Sequence, residues 1–127
     1  MSKIAFCTFG QNLYIADDSG WQICVPFDRL EKTVFEHLPQ NLSQYTHIVT
    51  TAGPASFTQL RILRAIQQGL ALGLRAETPM VCMFDVLQMA VSLPEYLILL
   101  ETRRGDFFGR HVKNNKTIKE CIMENAD

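Results

Sequence analysis

No stretch of this sequence is apolar for long enough to cross a bilayer. The longest apolar run toward the C-terminus, Tyr96 to Leu100, is far shorter than the roughly 20 residues of a spanning helix. Met1-Ser2-Lys3 leads at once into a short strand-like run, without the apolar stretch of a leader peptide. The expectation is a soluble cytoplasmic protein with no membrane contact. An excess of one charge is missing too: 12 basic and 13 acidic side chains leave a formal net charge of -1, so bulk electrostatics give no reason to expect a nucleic-acid surface. Metal-ligand spacing is absent, since Cys7, Cys24, Cys82 and Cys121 form no CxxC pair and His37, His47 and His111 are scattered. Cys7, Cys24 and Cys82 lie inside apolar runs, and buried reduced thiols are expected rather than a disulfide framework or a zinc site. No metal and no cofactor follow from this sequence. Internal repeats, low-complexity tracts and Pro/Gly/Ser linkers are also lacking.

What is present suits one domain. Of 127 residues, 47% are hydrophobic and 20% charged, enough for one core and too little for two complete domains. The first third reads as a strand meander: Ile4 to Thr8, Leu13 to Ala16 and Trp21 to Val25, separated by Gly10-Gln11-Asn12 and Asp17-Asp18-Ser19-Gly20. Asp28 and Glu31 have capping-box spacing, and Leu30, Val34 and Leu38 share one face of a helix over Arg29 to Leu38 that Pro39 stops. His47 to Thr51 is a β-branched run ended by Ala52-Gly53-Pro54-Ala55.

Ser56 then caps a long helix over Phe57 to Leu74. Leu60, Leu63, Ile66, Leu70 and Leu74 recur at helical spacing, while Arg61, Arg64, Gln68 and Arg75 gather on the other side. Pro79 introduces Met80 to Met83 as a buried strand, and Asp85 caps a further helix through Val91 that Pro94 ends. Tyr96 to Glu101, Phe107 to Val112 and Thr117 to Ile122 are strand candidates, the last two joined by the hairpin-like Lys113-Asn114-Asn115-Lys116. Arg103, Arg104, Arg110, Lys113, Lys116 and Lys119 stand against one acid, Asp106, with Phe107 and Phe108 interleaved. This segment is read as an exposed strand edge protected by cations, with packed phenylalanines, rather than as a contact to nucleic-acid phosphate. The order βββαβαβα followed by strands implies an α/β layer of helices on a mixed sheet.

Two local motifs carry a resemblance to a family. Gly53-Pro54-Ala55-Ser56-Phe57-Thr58-Gln59-Leu60-Arg61-Ile62 is similar to the TsaB signature Gly-Pro-Gly-Ser-Phe-Thr-Gly-Leu-Arg-Ile, and Gly69-Leu70-Ala71-Leu72-Gly73 continues it. Glu101-Thr102-Arg103-Arg104-Gly105-Asp106-Phe107-Phe108 resembles the family's Asp-Ala-Arg-Arg-Gly-Glu-Val-Tyr segment. The resemblance covers about Ile4 to Val112. It implies the actin-like ATPase (ASKHA, ribonuclease H-like) fold in one subdomain: an α/β mixed sheet of about five strands with extra C-terminal strands. Residues 1–95 would then form the core and 96–127 the start of a second subdomain that the chain is too short to complete. TsaB proteins are non-catalytic partner subunits in bacterial synthesis of threonylcarbamoyladenosine on tRNA, so the resemblance implies an accessory protein that meets tRNA only indirectly. The partner implied is a TsaD-type catalytic subunit or a second copy.

The departures bear on chemistry. Where the family's first strand leads into Asp-Thr-Ser, this chain has Cys7-Thr8-Phe9, and a thiol is a poor ligand for the hard magnesium ion that ATP-using relatives organise there. Ala55 and Gln59 replace two signature glycines, leaving no visible phosphate loop. Meanwhile Ala65, Gly69 and Gly73 form a four-residue ladder on the long helix, although an interior glycine costs about 1 kcal/mol relative to alanine. Small residues at this spacing admit a second helix closely, and the resemblance implies that this helix forms the interface; the alternative is that the ladder packs on the chain's own sheet. The candidate interface is Phe57, Leu60, Arg61, Arg64, Ala65, Gln68, Gly69 and Gly73. Within it Phe57 and Leu60 are apolar anchors or, on the plainer reading, core, and Arg61 and Arg64 meet acids on a partner or form a solvated face. Besides the accessory subunit, two functions stay open: a homodimeric remnant without a role in tRNA modification, and an ASKHA-type nucleotide-binding enzyme or glycoprotease. The last lacks a base readable beside Ser56 or Cys7.

Overall fold

A computed structural model describes residues 2–27, 36, 38–39, 41–101 and 105–123. Strands β1 (Ser2–Phe9), β2 (Asn12–Asp17) and β3 (Gln22–Pro26) form an antiparallel meander. The turn between β2 and β3 is closed by Asp17, whose Oδ1 accepts from the Ser19 N–H at 3.0 Å and the Trp21 N–H at 3.2 Å. The helix expected over Arg29 to Leu38 falls on residues outside those described, apart from Glu36 and Leu38. After a short 3-10 turn, Leu42–Gln44, β4 (Tyr45–Gly53) pairs parallel with β1. Helix α1 (Phe57–Leu74) crosses back to β5 (Met80–Cys82), parallel to β4, completing a mixed sheet in the order β3-β2-β1-β4-β5.

The core lies between this sheet and α1. Alternate residues of the strands, Ile4 and Phe6, Leu13 and Ile15, point to the same face and meet Tyr45, Ile48 and Leu63. Helix α1 has the bounds its pattern dictates. Ser56 Oγ accepts from the Gln59 N–H at 3.2 Å, the expected N-cap. At the other end Arg75 takes a left-handed conformation, φ 54, and its N–H returns to the Ala71 carbonyl at 2.8 Å.

Helix α2 (Met83–Met89) follows β5 without a gap and carries the chain to a second sheet, the antiparallel meander β6 (Glu95–Glu101), β7 (Phe107–Lys113) and β8 (Lys116–Met123). Asn114 and Asn115, at φ 53 and 62, form the β7–β8 hairpin with both central residues left-handed, a conformation asparagine tolerates. A smaller core of Phe84, Ile98 and Val112 joins α2 to this sheet.

Four expectations need correction. β5 is an edge strand, not a buried one: nothing among the described residues pairs on its far side, and Met80 is 51% exposed. α2 ends at Met89 rather than Val91, and Cys82 is its N-cap, because the Asp85 carboxylate turns to Arg110 instead of capping the helix. Cys24 is exposed on β3 rather than buried. Arg110 does not belong to an exposed cationic edge, being almost completely buried. Among the described residues, no helix is long and apolar enough to cross a membrane.

Candidate interaction surface

Helix α1 has two faces of opposite character. Toward the sheet lie Leu63 and Gln67, fully buried, with Ile66, Leu70 and Leu74 beside them. At 3.6 residues per turn the opposite line runs through Arg61, Ala65, Gln68, Gly69 and Leu72, all exposed. Ideal Cβ atoms built at Gly69 and Gly73 meet nothing within 4 Å. The small-residue ladder therefore faces away from the chain's own sheet, and its cost in helix propensity has no compensating contact among the described residues.

The ladder forms a flat groove with large side chains around it. Leu72, 85% exposed, stands between the two glycines along the helix, and Phe57, 68% exposed, marks the N-terminal end. Arg61 lies over the Phe57 ring at 4.0 Å from its centroid, which holds a guanidinium on an aromatic face at the surface. Phe57 is thus not core. Leu60 behaves differently: its two methyl carbons lie 3.6 and 3.8 Å from a Cβ built at Gly53, turned toward the β4 end and away from the groove. Gly53 itself has φ 120, a backbone conformation that suits glycine. Arg64 is exposed but anchored, donating to Gln67 Oε1 at 2.7 Å and touching Met80 Sδ at 3.4 Å.

Of the eight candidate residues, seven are brought to the exposed side of α1 and Leu60 is not. Leu72 was missed. Its signal was available, since it is a large apolar residue three positions beyond Gly69 on the polar side of the helix pattern. Gln67 was missed as well. Its amide donates to the carbonyls of Ile48 at 2.8 Å and Pro79 at 3.0 Å and accepts from Arg64, tying α1 to β4 and to the segment before β5.

In open α/β sheets, ligands sit beyond the carboxyl ends of the parallel strands. Here those ends are Phe9, Gly53 and Cys82, and Gln59 bridges them by donating from Nε2 to the Gly10 carbonyl at 2.9 Å. The residue that replaces a signature glycine is therefore buried and fastens α1 to the β1–β2 turn. Cys7 contacts Met83 Sδ at 3.4 Å. Burial pushes the Cys7 thiol up, against a smaller lowering by a hydrogen bond with Thr51, so at neutral pH it remains a protonated thiol and a weak nucleophile. The Thr8 hydroxyl is buried without a hydrogen-bond partner among the described residues. No three of His, Cys, Asp or Glu among the described residues gather closely enough to hold a metal ion.

The second sheet is clasped to α2 by Arg110. Its guanidinium donates to Asp85 Oδ1 at 2.5 Å, to Gln88 Oε1 at 3.1 Å and, through Nε, to Glu120 Oε1 at 2.8 Å, and it lies 5.1 Å from the Phe84 ring centroid. Burial opposes the charge, but the carboxylates of Asp85 and Glu120 outweigh it and hold the guanidinium pKa above its ordinary value. Arg103 and Arg104, the other arginines of that basic segment, lie outside the described residues.

No protein-family model matches the chain, and no curated protein sequence matches it. Solved structures do. The chain is similar to YeaZ (a TsaB protein) from Pseudomonas aeruginosa with a TM-score of 0.66 at 18% identity, over 96% of this chain and 66% of that one. A second structure, an uncharacterized protein with similarity to peptidase YeaZ from Pseudomonas aeruginosa, gives a TM-score of 0.68 at 20% identity over the same shares. The chain thus spans just under two thirds of the length of these neighbours. The fold is α/β with a mixed five-stranded sheet, and it is similar to that of these YeaZ structures.

Proposed function

We propose that this chain is a TsaB-like, non-catalytic interaction subunit that supports a TsaD-type catalytic partner in threonylcarbamoyladenosine modification of tRNA. It associates through the outward face of α1, either with that partner or with a second copy of itself, and touches tRNA only indirectly. One observation carries the reading: the ladder of Ala65, Gly69 and Gly73 and the apolar Leu72 are exposed, and a Cβ built at either glycine meets nothing within 4 Å among the described residues. A glycine kept at a helix surface against its propensity is explained by a close-packed neighbour. The likeness of the fold to YeaZ supports the role.

The strand ends support the non-catalytic half of the reading. The Cys7 thiol is held protonated, and the Ser56 hydroxyl is engaged in capping Gln59. Calorimetric heat on titrating ATP into the pure chain would instead favour the nucleotide-enzyme alternative.

The test is co-elution of the chain with its cognate TsaD-type subunit, for the native sequence and for Gly69→Leu. Association that Gly69→Leu removes is the expected result, and a native chain that meets neither the subunit nor itself would sink the proposal. Depletion in cells followed by nucleoside analysis of tRNA separates the accessory subunit from a homodimeric remnant: threonylcarbamoyladenosine falls in the first case and is unchanged in the second.

A further inference from the structure

We infer that the outward face of the second sheet is a self-association face, on which two copies of the chain pack sheet against sheet. None of its residues belongs to α1, so it stands apart from the interaction reading above. Successive side chains of a strand point to opposite faces. Tyr96, Ile98 and Leu100 of β6, with Phe108 and Val112 of β7, turn toward α2 and form the smaller core. Leu97 and Leu99 therefore lie on the other face, where they are 52% and 45% exposed. Beside them the face is hollow: Gly109 lies at its floor, with Leu97, His111, Lys119 and Cys121 around it. Gly109 sits within β7, the central strand of the three. A glycine there weakens the strand and marks a place where another surface comes close.

The strand register makes this face complementary to itself. β6 and β7 are antiparallel, with Glu95 opposite Lys113, Leu97 opposite His111 and Leu99 opposite Gly109. A two-fold axis that runs along the strands, above the gap between β6 and β7, exchanges opposed residues. Each β6 residue of one copy then lies over its own cross-strand partner in the other. Leu99 of each copy enters the hollow over Gly109 of the other, and Glu95 meets Lys113 at the rim, where both are exposed. His111, held by Glu95 at 2.7 Å, offers its ring to Leu97. An axis across the strands instead lays β6 over a reversed β6 and brings Glu95 over Glu101, acid on acid, which opposes association. One symmetry operation thus fills the hollow and pairs the charges. The strands are seven residues long, about 24 Å, and three of them make a patch at the small end of specific interfaces, so the dimer is reversible and concentration-dependent.

Sedimentation velocity of the full chain, from low micromolar to sub-millimolar concentration, tests this, with circular dichroism to verify that each variant is folded. The native chain is expected to dimerise, and the dimer should persist in Gly69→Leu. Leu99→Glu should weaken it by about tenfold or more, because an unpaired charge replaces the side chain that fills the hollow. Glu95→Lys and Lys113→Glu each set like charges against one another across the axis and should weaken it similarly. Mixing these two variants restores opposite charges on both sides of the axis and should give a mixed dimer. These exposed charge swaps decide the matter even where Leu99→Glu unfolds the chain. A native chain that stays monomeric overturns the inference. So does a mixture of the two swapped variants that stays monomeric while the native chain dimerises. A dimer that Gly69→Leu abolishes and Leu99→Glu leaves intact overturns it as well, but places self-association on α1 and leaves the interaction reading standing.

Discussion

Replacing Gly69 by alanine should stabilise the isolated chain. Gly69 is in the interior of α1 with helical backbone, and a Cβ built there meets no atom within 4 Å. Alanine thus adds no clash, and the gain is the difference in helix propensity, about 1 kcal/mol. For a chain of this size that corresponds to a rise in Tm of roughly 3–5 °C. Gly73 is one residue from the helix end, so Gly73→Ala should gain less, because the last turn frays. The assay is thermal and urea denaturation followed by circular dichroism, at concentrations low enough for the chain to be monomeric. The same substitution should weaken association through α1, since it fills part of the groove. Stability gained with association lost is the signature of a glycine kept for a neighbour. If Gly69→Ala destabilises the monomer, the glycine makes an internal contact and the reasoning fails; if it changes neither property, the groove has no use.

Gln67→Leu should cost about 1–3 kcal/mol, because it leaves the buried carbonyl of Ile48 without its amide donor, while the Pro79 carbonyl keeps the Thr50 N–H; a urea midpoint close to that of the native chain would contradict this. Arg110→Met should cost about 2 kcal/mol, below the usual value for a broken buried ion pair since Asp85 and Glu120 are themselves half in water, and should loosen α2 from the second sheet in hydrogen exchange. Asp17 has a carboxyl held below its ordinary 3.8 by hydrogen bonds from Ser19 and Tyr45, slightly offset by desolvation. Its contribution to stability is therefore complete above that ordinary value and lost as pH falls through the lowered one. Tyr45→Phe removes the 2.7 Å bond to Asp17 Oδ2 and should flatten this acid slope in pH-dependent denaturation; an unchanged slope would assign it to other carboxyls.

The elements with the strongest local signals were legible in the sequence. Ser56 followed by apolar residues at helical spacing marks both ends of α1, and the turn residues Asp17 to Gly20 and Asn114-Asn115 locate hairpins that the backbone forms. The errors arise where long-range neighbours decide. Met80 to Met83 has the composition of a buried strand, and only the sheet order reveals that nothing among the described residues pairs beyond β5. Asp85 has the position of a helix cap, but its partner Arg110 is 25 residues away. Gln59 and Gln67 are polar residues at inward positions of α1, where the periodicity of the leucines already placed them; their role as fasteners was hidden because the carbonyls they satisfy belong to Gly10, Ile48 and Pro79.

For the candidate site, the residues were legible and their direction was not. Ala65, Gly69 and Gly73 suit a close-packed helix neighbour or a close-packed sheet equally well by composition. The choice depends on which side Leu63 and Gln67 take, and their complete burial turns the ladder outward. Phe57 follows from the same rotation, since it lies on the far side from Leu63 and is exposed, whereas Leu60 is carried inward.

The central claim is that this outward face is where the chain meets its partner. Sedimentation velocity of the chain with its cognate TsaD-type subunit, comparing native and Gly69→Leu chains of equal thermal stability, tests it most directly. A complex formed by the native chain and lost on Gly69→Leu is the predicted result. A complex that survives Gly69→Leu with undiminished affinity would place the interface elsewhere and contradict the claim.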